Sequence, residues 1–358
     1  MTFSPSRLRA ARARREMTIK SLSERVRLTA RTISSYENGH AESPPEETVK
    51  KIASALSYPF SFFFGDEIEE VHVETVSFRS MKKMRARQRD AAIASAQIAL
   101  LFNNWLEENF ELPPHNLPDI RGEDPEAAAM IIREHWQLGV QSIRNMVHLL
   151  EAQGIRVFSL FENNKEVDAF SFWHGSTPFV FLNLMKSGER GRFDAAHELG
   201  HLLLHKHGAP QGPEAEREAD RFASAFLMPE SSIRSRSSPF PSLRQIIVMK
   251  SSWLVSAAAL TRRLKDLGLI TEWHYRTLNV EMSKKGFLRH EPEGIEREKS
   301  ALLNNVLKQL WNKGVTQEQI SRELNIPIDD FESLVFSASA GGKRNINVTP
   351  KPSLSLIK

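Results

Sequence analysis

Residues 189–229 carry the sequence feature that most constrains this chain. The letters HELGH place His197, Glu198 and His201 in the pattern H-E-x-x-H, within a stretch whose hydrophobic residues repeat at helical spacing. Two histidines four residues apart lie one above the other on a helix, so both imidazoles can reach one metal ion. Glu198, on the same helix, can then face a water-filled fourth position as a general base.

A second helical pattern follows and supplies a third ligand. Its letters EREAD begin at Glu216 and also contain Glu218 and Asp220. Glu216 is the predicted carboxylate ligand, and Glu218 is the alternative, because the sequence does not show which glutamate faces the histidines. Asp220, one turn after Glu216, can accept the free ring N–H of a ligand histidine and fix its tautomer. Two histidines, one glutamate and one water are typical of a catalytic zinc site, not of a closed structural one.

The alternative interpretation of the motif is a core helix in which the polar residues only contact a neighbour. Hydrophobic side chains on either side of the motif would bury this helix, and buried His and Glu side chains need partners. Cysteine is absent, so disulfides and thiolate metal sites are excluded. The pattern favours Zn²⁺, with Mn²⁺ or iron as alternatives for the same ligands. His205 and His207 are predicted to be exposed at the end of the helix, where histidine side chains interact favourably with the helix dipole.

Composition predicts an ordinary soluble protein. The chain has 358 residues, of which 41% are hydrophobic and 26% charged, and its mean hydropathy is −0.38. It has no apolar run of about 18 residues, and its N-terminus lacks the apolar segment of a secretory signal. With the absence of cysteine, these features predict a cytoplasmic protein. The net charge is +4 and the pI about 9.2, so the location of the positive charge matters.

Much of that charge lies in the first 60 residues, which contain eleven Lys and Arg against six Asp and Glu. Their pattern predicts short helices, with Ser6, Thr18 and Thr29 as N-caps and Gly39 as the residue that follows the third helix. The second and third helices have helix-turn-helix spacing. The predicted helices span residues 6–15, 18–26, 29–38 and 46–56.

This block resembles the XRE (lambda-repressor-like) family of DNA-binding domains over about sixty residues. The residues that carry the resemblance are Thr18, Leu22, Val26, Thr29, Ile33, Tyr36, Glu37 and Gly39. The resemblance implies that Arg31 can read guanine. It also implies that Thr18, Lys20 and Arg9 lie near phosphate. Ile19 stands where the family often has Gln. A bundle that docks a protein is the alternative. The residues implied to face the major groove are Thr29, Ala30, Arg31, Thr32 and Ser35.

Short β-rich runs at residues 155–160, 169–173 and 179–184 precede the metal helix and predict a small antiparallel sheet. These runs, the H-E-x-x-H helix and the letters FASAFLMP at residues 222–229 resemble the ImmA/IrrE family of metallopeptidases, over roughly residues 75–285. Members with an N-terminal helix-turn-helix are commonly encoded near mobile elements or stress regulons. The resemblance implies zinc-dependent cleavage of a DNA-bound repressor. It also implies two histidine ligands, His197 and His201, with Glu198 as base and Glu216 as third ligand.

The predicted fold class is α+β and mostly helical. It comprises a lambda-repressor-like five-helix domain, a zincin-like domain with a small antiparallel sheet, and C-terminal helical modules. Helices at 243–267 could bind DNA, bind the repressor or buttress the active site, and we take the last as the default. The predicted domains are a DNA-binding domain at 1–65, a linker at 66–85, a metallopeptidase domain at 86–285 with its core at 154–229, a helical module at 286–340 and a flexible tail at 341–358.

The predicted function is that of a nucleoid-associated DNA-binding regulator with a gluzincin-like zinc endopeptidase domain that cleaves a repressor. One alternative is a transcriptional regulator that uses the peptidase-like domain as a metal or ligand sensor without turnover. Another is an antitoxin-like module that holds a partner protein. DNA and a repressor protein are the predicted partners, no membrane partner is expected, and the sequence leaves a homodimer open.

Overall fold

The computed structural model describes most of the chain. The predicted tail at 341–358 lies outside the described residues, as do His207 and much of the predicted linker at 66–85. Within the described ranges, no helix is both long and apolar enough to cross a membrane. The described residues are 2–40, 43–71, 77–78, 85–160, 168–183, 185–205 and 212–335.

Helices dominate the first part of the chain, and four strands of the described residues precede the metal-motif helix. The predicted α+β, mostly helical fold class is confirmed. The elements up to the third strand are α1 (Pro5–Arg14), α2 (Ile19–Val26), α3 (Ala30–Glu37), α4 (Glu46–Leu56), a 3-10 helix (Phe60–Phe64), β1 (Ser77–Phe78), α5 (Ala86–Asn109), α6 (Pro125–His135), α7 (Met146–Ala152), β2 (Arg156–Leu160) and β3 (Ala169–His174). The elements that follow are β4 (Thr177–Asn183), α8 (Gly188–Leu204), α9 (Pro213–Leu227), α10 (Glu230–Arg236), α11 (Leu243–Trp253), α12 (Ala257–Asp266), α13 (Glu272–Lys284), α14 (Ala301–Asn312), α15 (Gln317–Glu323) and α16 (Ile328–Leu334).

The chain divides into two compact units. One contains Met1–Pro113, Phe158–Val167 and Ser300–Lys358, so the N-terminal helices and α14–α16 belong together. The other contains Pro114–Val157 and Asp168–Lys299, which include α6 to α13 and the β3–β4 hairpin. Each unit therefore combines segments that are distant in the sequence, and residues 286–299 belong with the unit that contains α8.

Two threonines fix the start of the helices that form the helix-turn-helix. The hydroxyl of Thr18 accepts the N–H of Ser21 at 3.0 Å, and that of Thr29 accepts the N–H of Thr32 at 3.1 Å. Each bond satisfies an N–H group that the first turn of a helix leaves unpaired. Both predicted N-caps are confirmed. Gly39 has φ +66°, the left-handed conformation that commonly ends a helix.

The first helix begins earlier than predicted. Its N-cap is Ser4 and not Ser6, because Pro5 takes the first helical position. Proline suits that position, since its φ is already helical and its missing N–H has no intrahelical partner to lose. Leu22 and Ile33, on α2 and α3, are fully buried. The apolar faces of these helices thus form the core of the helix-turn-helix.

The C-terminal helices pack into the same unit through a buried carboxylate. Asp330, in the first turn of α16, is 3% exposed. Its Oδ1 accepts from Arg15 at 2.8 Å, its Oδ2 accepts the hydroxyl proton of Tyr58 at 2.7 Å, and Arg14 lies 3.6 Å away. Burial lowers the pKa of Arg14 to about 10, against the opposing charge of Asp330. The ring of Phe331 meets that of Phe102 at 5.0 Å, so α16 also covers α5.

In the second unit, β3 and β4 form an antiparallel hairpin beside α8. The strands turn at Gly175, which has φ +56°, and Ser171 pairs with Val180 across the ladder. Phe170 and Phe181 stack at 4.5 Å between ring centroids. Helix α8 packs on both strands of the hairpin, and α9 packs against α8. The hairpin therefore supports the motif helix α8 through contacts from both of its strands.

Buried ion pairs hold the first turns of α8. Lys250 of α11 is 1% exposed and donates to Glu189 at 3.1 Å, and it lies 3.3 Å from Glu291. Arg192, also 1% exposed, pairs with Glu298. Charges buried to this degree persist only when they are paired and hydrogen-bonded. The segment around 291–298 is thus fastened against the N-terminal half of the motif helix.

Candidate metal centre and DNA-binding face

Helix α8 places the three residues of the H-E-x-x-H motif in the buried interior of its unit. It begins at Ser187, whose hydroxyl accepts the N–H of Arg190, and runs to Leu204. His197 and Glu198 are fully buried, and His201 is 5% exposed. Because buried imidazoles and carboxylates must have partners, an element that packs against this helix has to supply them.

It faces α9, which approaches closely at a glycine inside the motif. A Cβ atom added at Gly200 would lie 3.0 Å from a ring carbon of Phe222 and 3.3 Å from the Cα of Ala219. A larger residue at this position would therefore require Phe222 and the backbone at Ala219 to shift. The close approach lets a carboxylate on α9 reach imidazoles on α8. The sequence signal for this approach is a glycine inside a helix, at a position where it does not end the helix. Sequence reasoning missed this signal.

The carboxylate that reaches the histidines is that of Glu216. The Nε2 atoms of His197 and His201 lie 3.1 Å apart. Glu216 Oε1 lies 3.3 Å from His201 Nε2, and Oε2 lies 3.5 Å from His197 Nε2. A tetrahedral zinc ion with ligands at its usual distances holds them about 3.3–3.6 Å from one another. The three side chains therefore have donor types that suit zinc and separations close to this range, and among the described residues they form a group that could hold a metal ion.

The electrostatics of this cluster suit a cation. Burial lowers the pKa of His201 to about 4, so its imidazole is neutral and can offer a lone pair near pH 7. Burial by itself would raise the pKa of Glu216, but its contacts with the imidazoles of His197 and His201 lower it to about 2. The cluster thus presents the neutral imidazole of His201 and the negative carboxylate of Glu216.

Each histidine has a partner for its other ring nitrogen. Asp220 Oδ1 lies 2.8 Å from His197 Nδ1, the arrangement expected from sequence for Asp220. The Nδ1 of His201 instead lies 2.9 Å from Nδ1 of His205, whose Nε2 lies 2.7 Å from Glu218 Oε2. Glu218, the alternative ligand, is therefore engaged away from the cluster.

The predicted exposure of His205 is wrong. Its side chain is 7% exposed, because it is enclosed between His201 and Glu218. A helix-end position indicated contact with solvent, whereas the neighbouring helix α9 covers this end. Sequence reasoning missed the pairing because it depends on a contact between two helices.

Glu198 is held by a serine that sequence reasoning also missed. Ser171 Oγ donates to Glu198 Oε2 at 2.7 Å, and the serine is 2% exposed. Ser171 stands on β3 in the run AFSFWH, where it is a polar residue among aromatic ones. That break in an apolar strand is the signal that could have identified it.

The predicted DNA-contact residues surround the start of α2 and α3. Thr29, Ala30 and Arg31 are exposed, and Thr32 and Ser35 are half-buried beside them. The side chain of Lys20 is 82% exposed. The hydroxyls of Thr18 and Thr29 serve as N-caps, so α3 presents its polar N-terminal turn to solvent.

The second helix pair, α11 and α12, is arranged differently. The N–H of Ala257 at the start of α12 donates to the carboxylate of Glu291 at 2.7 Å. A carboxylate at that helix terminus would repel a phosphate. Arg263 is buried and paired with Glu126 of α6. These contacts favour the interpretation of α11 and α12 as a buttress.

Comparisons with known proteins agree with both parts of this description. A family model described as the IrrE N-terminal-like domain, Peptidase_M78, matches residues 150–265. A family model described as helix-turn-helix, HTH_3, matches residues 8–63. The HTH-type transcriptional repressor RghR of Bacillus subtilis (strain 168) is 33% identical over 107 residues, which are 29% of this chain and 78% of that repressor. The chain thus carries a helix-turn-helix domain and a metallopeptidase-type domain.

Proposed function

Because the chain belongs to the family of XRE-type helix-turn-helix proteins that carry an ImmA/IrrE-type metallopeptidase domain, we propose that it is a DNA-binding regulator whose zinc-dependent endopeptidase domain cleaves a partner repressor. The observation that carries this proposal is the triangle of His197, His201 and Glu216, with 3.1, 3.3 and 3.5 Å between ligand atoms. Zn²⁺ is the proposed cofactor, and Mn²⁺ is the second choice for the same ligands.

The proposed mechanism assigns a separate task to each side chain. A bound zinc ion would supply a Lewis acid that polarises the scissile carbonyl and lowers the pKa of water. Glu198 takes the proton of the attacking water and then delivers it to the leaving amine. Ser171 fixes the carboxylate of Glu198 from β3 through its 2.7 Å bond. Asp220 holds the ring of His197 from behind, so that Nε2 points into the cluster.

A cleavage assay tests the proposal. The protein is incubated with the repressor encoded beside its gene, after metal removal with a chelator and again after addition of Zn²⁺ or Mn²⁺. A single cut that depends on added metal is the expected result, and the intact mass of the fragments identifies the bond. Bound zinc without any cut would favour the metal or ligand sensor. Stable binding of a partner without binding to its own promoter DNA would favour the antitoxin-like module.

The DNA-binding half of the proposal rests on the exposed start of α3. We propose that Arg31 reads a base, with Thr29, Ala30, Thr32 and Ser35 beside it in the major groove. In the same proposal, Lys20 and the first turn at Thr18 lie near phosphate. The XRE-type match supports this assignment, as does the exposure of Arg31, Thr29 and Lys20.

Arg31→Ala is expected to weaken binding to promoter DNA about tenfold or more, because one base-reading arginine contributes about 1–3 kcal/mol. A mobility-shift titration measures the change. Lys51→Ala on α4 is the matched control, since it removes one exposed positive charge outside the proposed face. Equal losses in the two variants would contradict the role of Arg31.

A further inference from the structure

The two ligand histidines differ in what holds them from behind. Asp220 contacts His197 directly, whereas the carboxylate behind His201 is one residue further away. We propose that His205 and Glu218 form a relay that keeps the ring of His201 in the tautomer a metal ion needs. This inference rests on the proposed metal site and adds two positioning residues to it.

A metal ion held by His201 Nε2 would allow one placement of protons along the relay. His201 Nε2 faces Glu216, so it can offer its lone pair to a cation only if the ring proton sits on Nδ1. That Nδ1–H must donate to Nδ1 of His205, 2.9 Å away. His205 then carries its own proton on Nε2 and donates it to Glu218 Oε2, 2.7 Å away. The acceptor-only carboxylate of Glu218 therefore sets the direction of both bonds.

Reversal of the relay would block the site. If the group at position 218 could only donate, His205 would have to accept at Nε2 and carry its proton on Nδ1. The ring of His201 would then accept at Nδ1 and carry its proton on Nε2, which removes the lone pair from the cluster. Asp220 offers no substitute, because it bonds to His197.

Because His201 and His205 are buried, their hydrogen-bond partners determine the tautomer of His201. The side chain of His205 is 7% exposed and that of His201 is 4% exposed, so few water molecules can replace a lost partner. Glu218 is 36% exposed at the outer end of the relay. A lysine can therefore replace Glu218 without burial of a new charge, and this makes position 218 the place for the test.

Four variants distinguish the effect of hydrogen-bond direction in the relay from the effects of a changed charge and of altered side-chain packing. Glu218→Lys provides only donors, and Glu214→Lys makes the same charge change at an exposed position on the same helix. His205→Leu removes the relay. His205→Gln keeps its direction, since the amide oxygen can accept from His201 while the amide nitrogen donates to Glu218.

Two measurements are made on each variant. Competition with a chelator gives the zinc dissociation constant, and ¹⁵N NMR of the imidazoles in the metal-free protein gives the tautomer of His201. Glu218→Lys and His205→Leu are expected to weaken zinc binding about 10- to 100-fold, as loss of a partner behind a ligand commonly does. Glu218→Lys is also expected to move the His201 proton to Nε2. His205→Gln and Glu214→Lys should stay within about threefold of wild type in zinc affinity, with the proton of His201 on Nδ1.

Wild-type affinity and an unchanged tautomer in Glu218→Lys would overturn the relay, as would a wild-type His201 with its proton on Nε2. Equal losses in Glu218→Lys and Glu214→Lys would also overturn it, because charge alone would then explain them. Failure of the proposed function has a different signature. If the relay variants lose zinc as expected but wild type leaves the repressor intact, only the proposed cleavage is contradicted.

Discussion

Replacement of His201 by alanine is expected to abolish tight zinc binding. The variant removes one of three ligands and leaves His197 and Glu216 without the third corner of the triangle. Loss of a partner behind a ligand already weakens metal binding about 10- to 100-fold, so loss of the ligand itself should exceed about 100-fold. Dialysis against a zinc buffer followed by elemental analysis measures the change.

A matched histidine controls for the general effect of the substitution. His135 on α6 is exposed and bonds to Asn116, away from the cluster, so His135→Ala should retain zinc at the wild-type level. Equal zinc content in wild type and His201→Ala would contradict the assignment of His201 as a ligand. Loss of zinc in both variants would point to unfolding, which far-ultraviolet circular dichroism detects.

Asp330→Ala is expected to destabilise the unit that contains the helix-turn-helix by about 3–5 kcal/mol. The carboxylate of Asp330 accepts bonds from Arg15 and Tyr58 and faces Arg14 in a buried position. Burial has already lowered the pKa of Arg14 to about 10. Removal of Asp330 leaves this guanidinium without its main opposing charge. Breaking one side of a buried pair is costly because the other charge stays buried.

Hydrogen exchange of the amides in α1 and α16 measures this effect within the unit. Protection in both helices should fall together in Asp330→Ala, because the bonds of Asp330 join them. Asp329→Ala is the matched control, since Asp329 is the exposed neighbour in the same first turn, and it should change stability by less than about 0.5 kcal/mol. Equal protection in wild type and Asp330→Ala would contradict the role of this carboxylate.

Local signals in the sequence were enough for the helix-turn-helix and the motif helix. The N-caps Thr18 and Thr29 and the spacing of His197 and His201 depend only on residues within one or two turns. The carboxylate of Asp330 in α16, by contrast, is buried against Arg15. This partner lies more than 300 residues away, so no local pattern could predict the contact.

The finer parts of the site depend on how elements pack. Glu216 faces His201 and Glu218 faces His205 because of how α9 packs against α8, which sequence periodicity does not specify. Ser171 reaches Glu198 because the hairpin lies under α8, and His205 is buried because α9 covers the helix end. Each of these side chains is placed by a neighbour from another element, so a single-sequence pattern cannot fix its role.

The most direct test of the proposed metal-dependent cleavage compares zinc-loaded wild type with zinc-loaded Glu198→Gln. Both are incubated with the repressor encoded beside the gene, and the repressor is followed by intact mass. Glutamine has nearly the shape of Glu198 and can still bond to Ser171, but it cannot take a proton from water. Wild type is expected to make one cut while Glu198→Gln retains zinc and makes none. Cleavage at the wild-type rate by Glu198→Gln would contradict the assignment of Glu198 as the base.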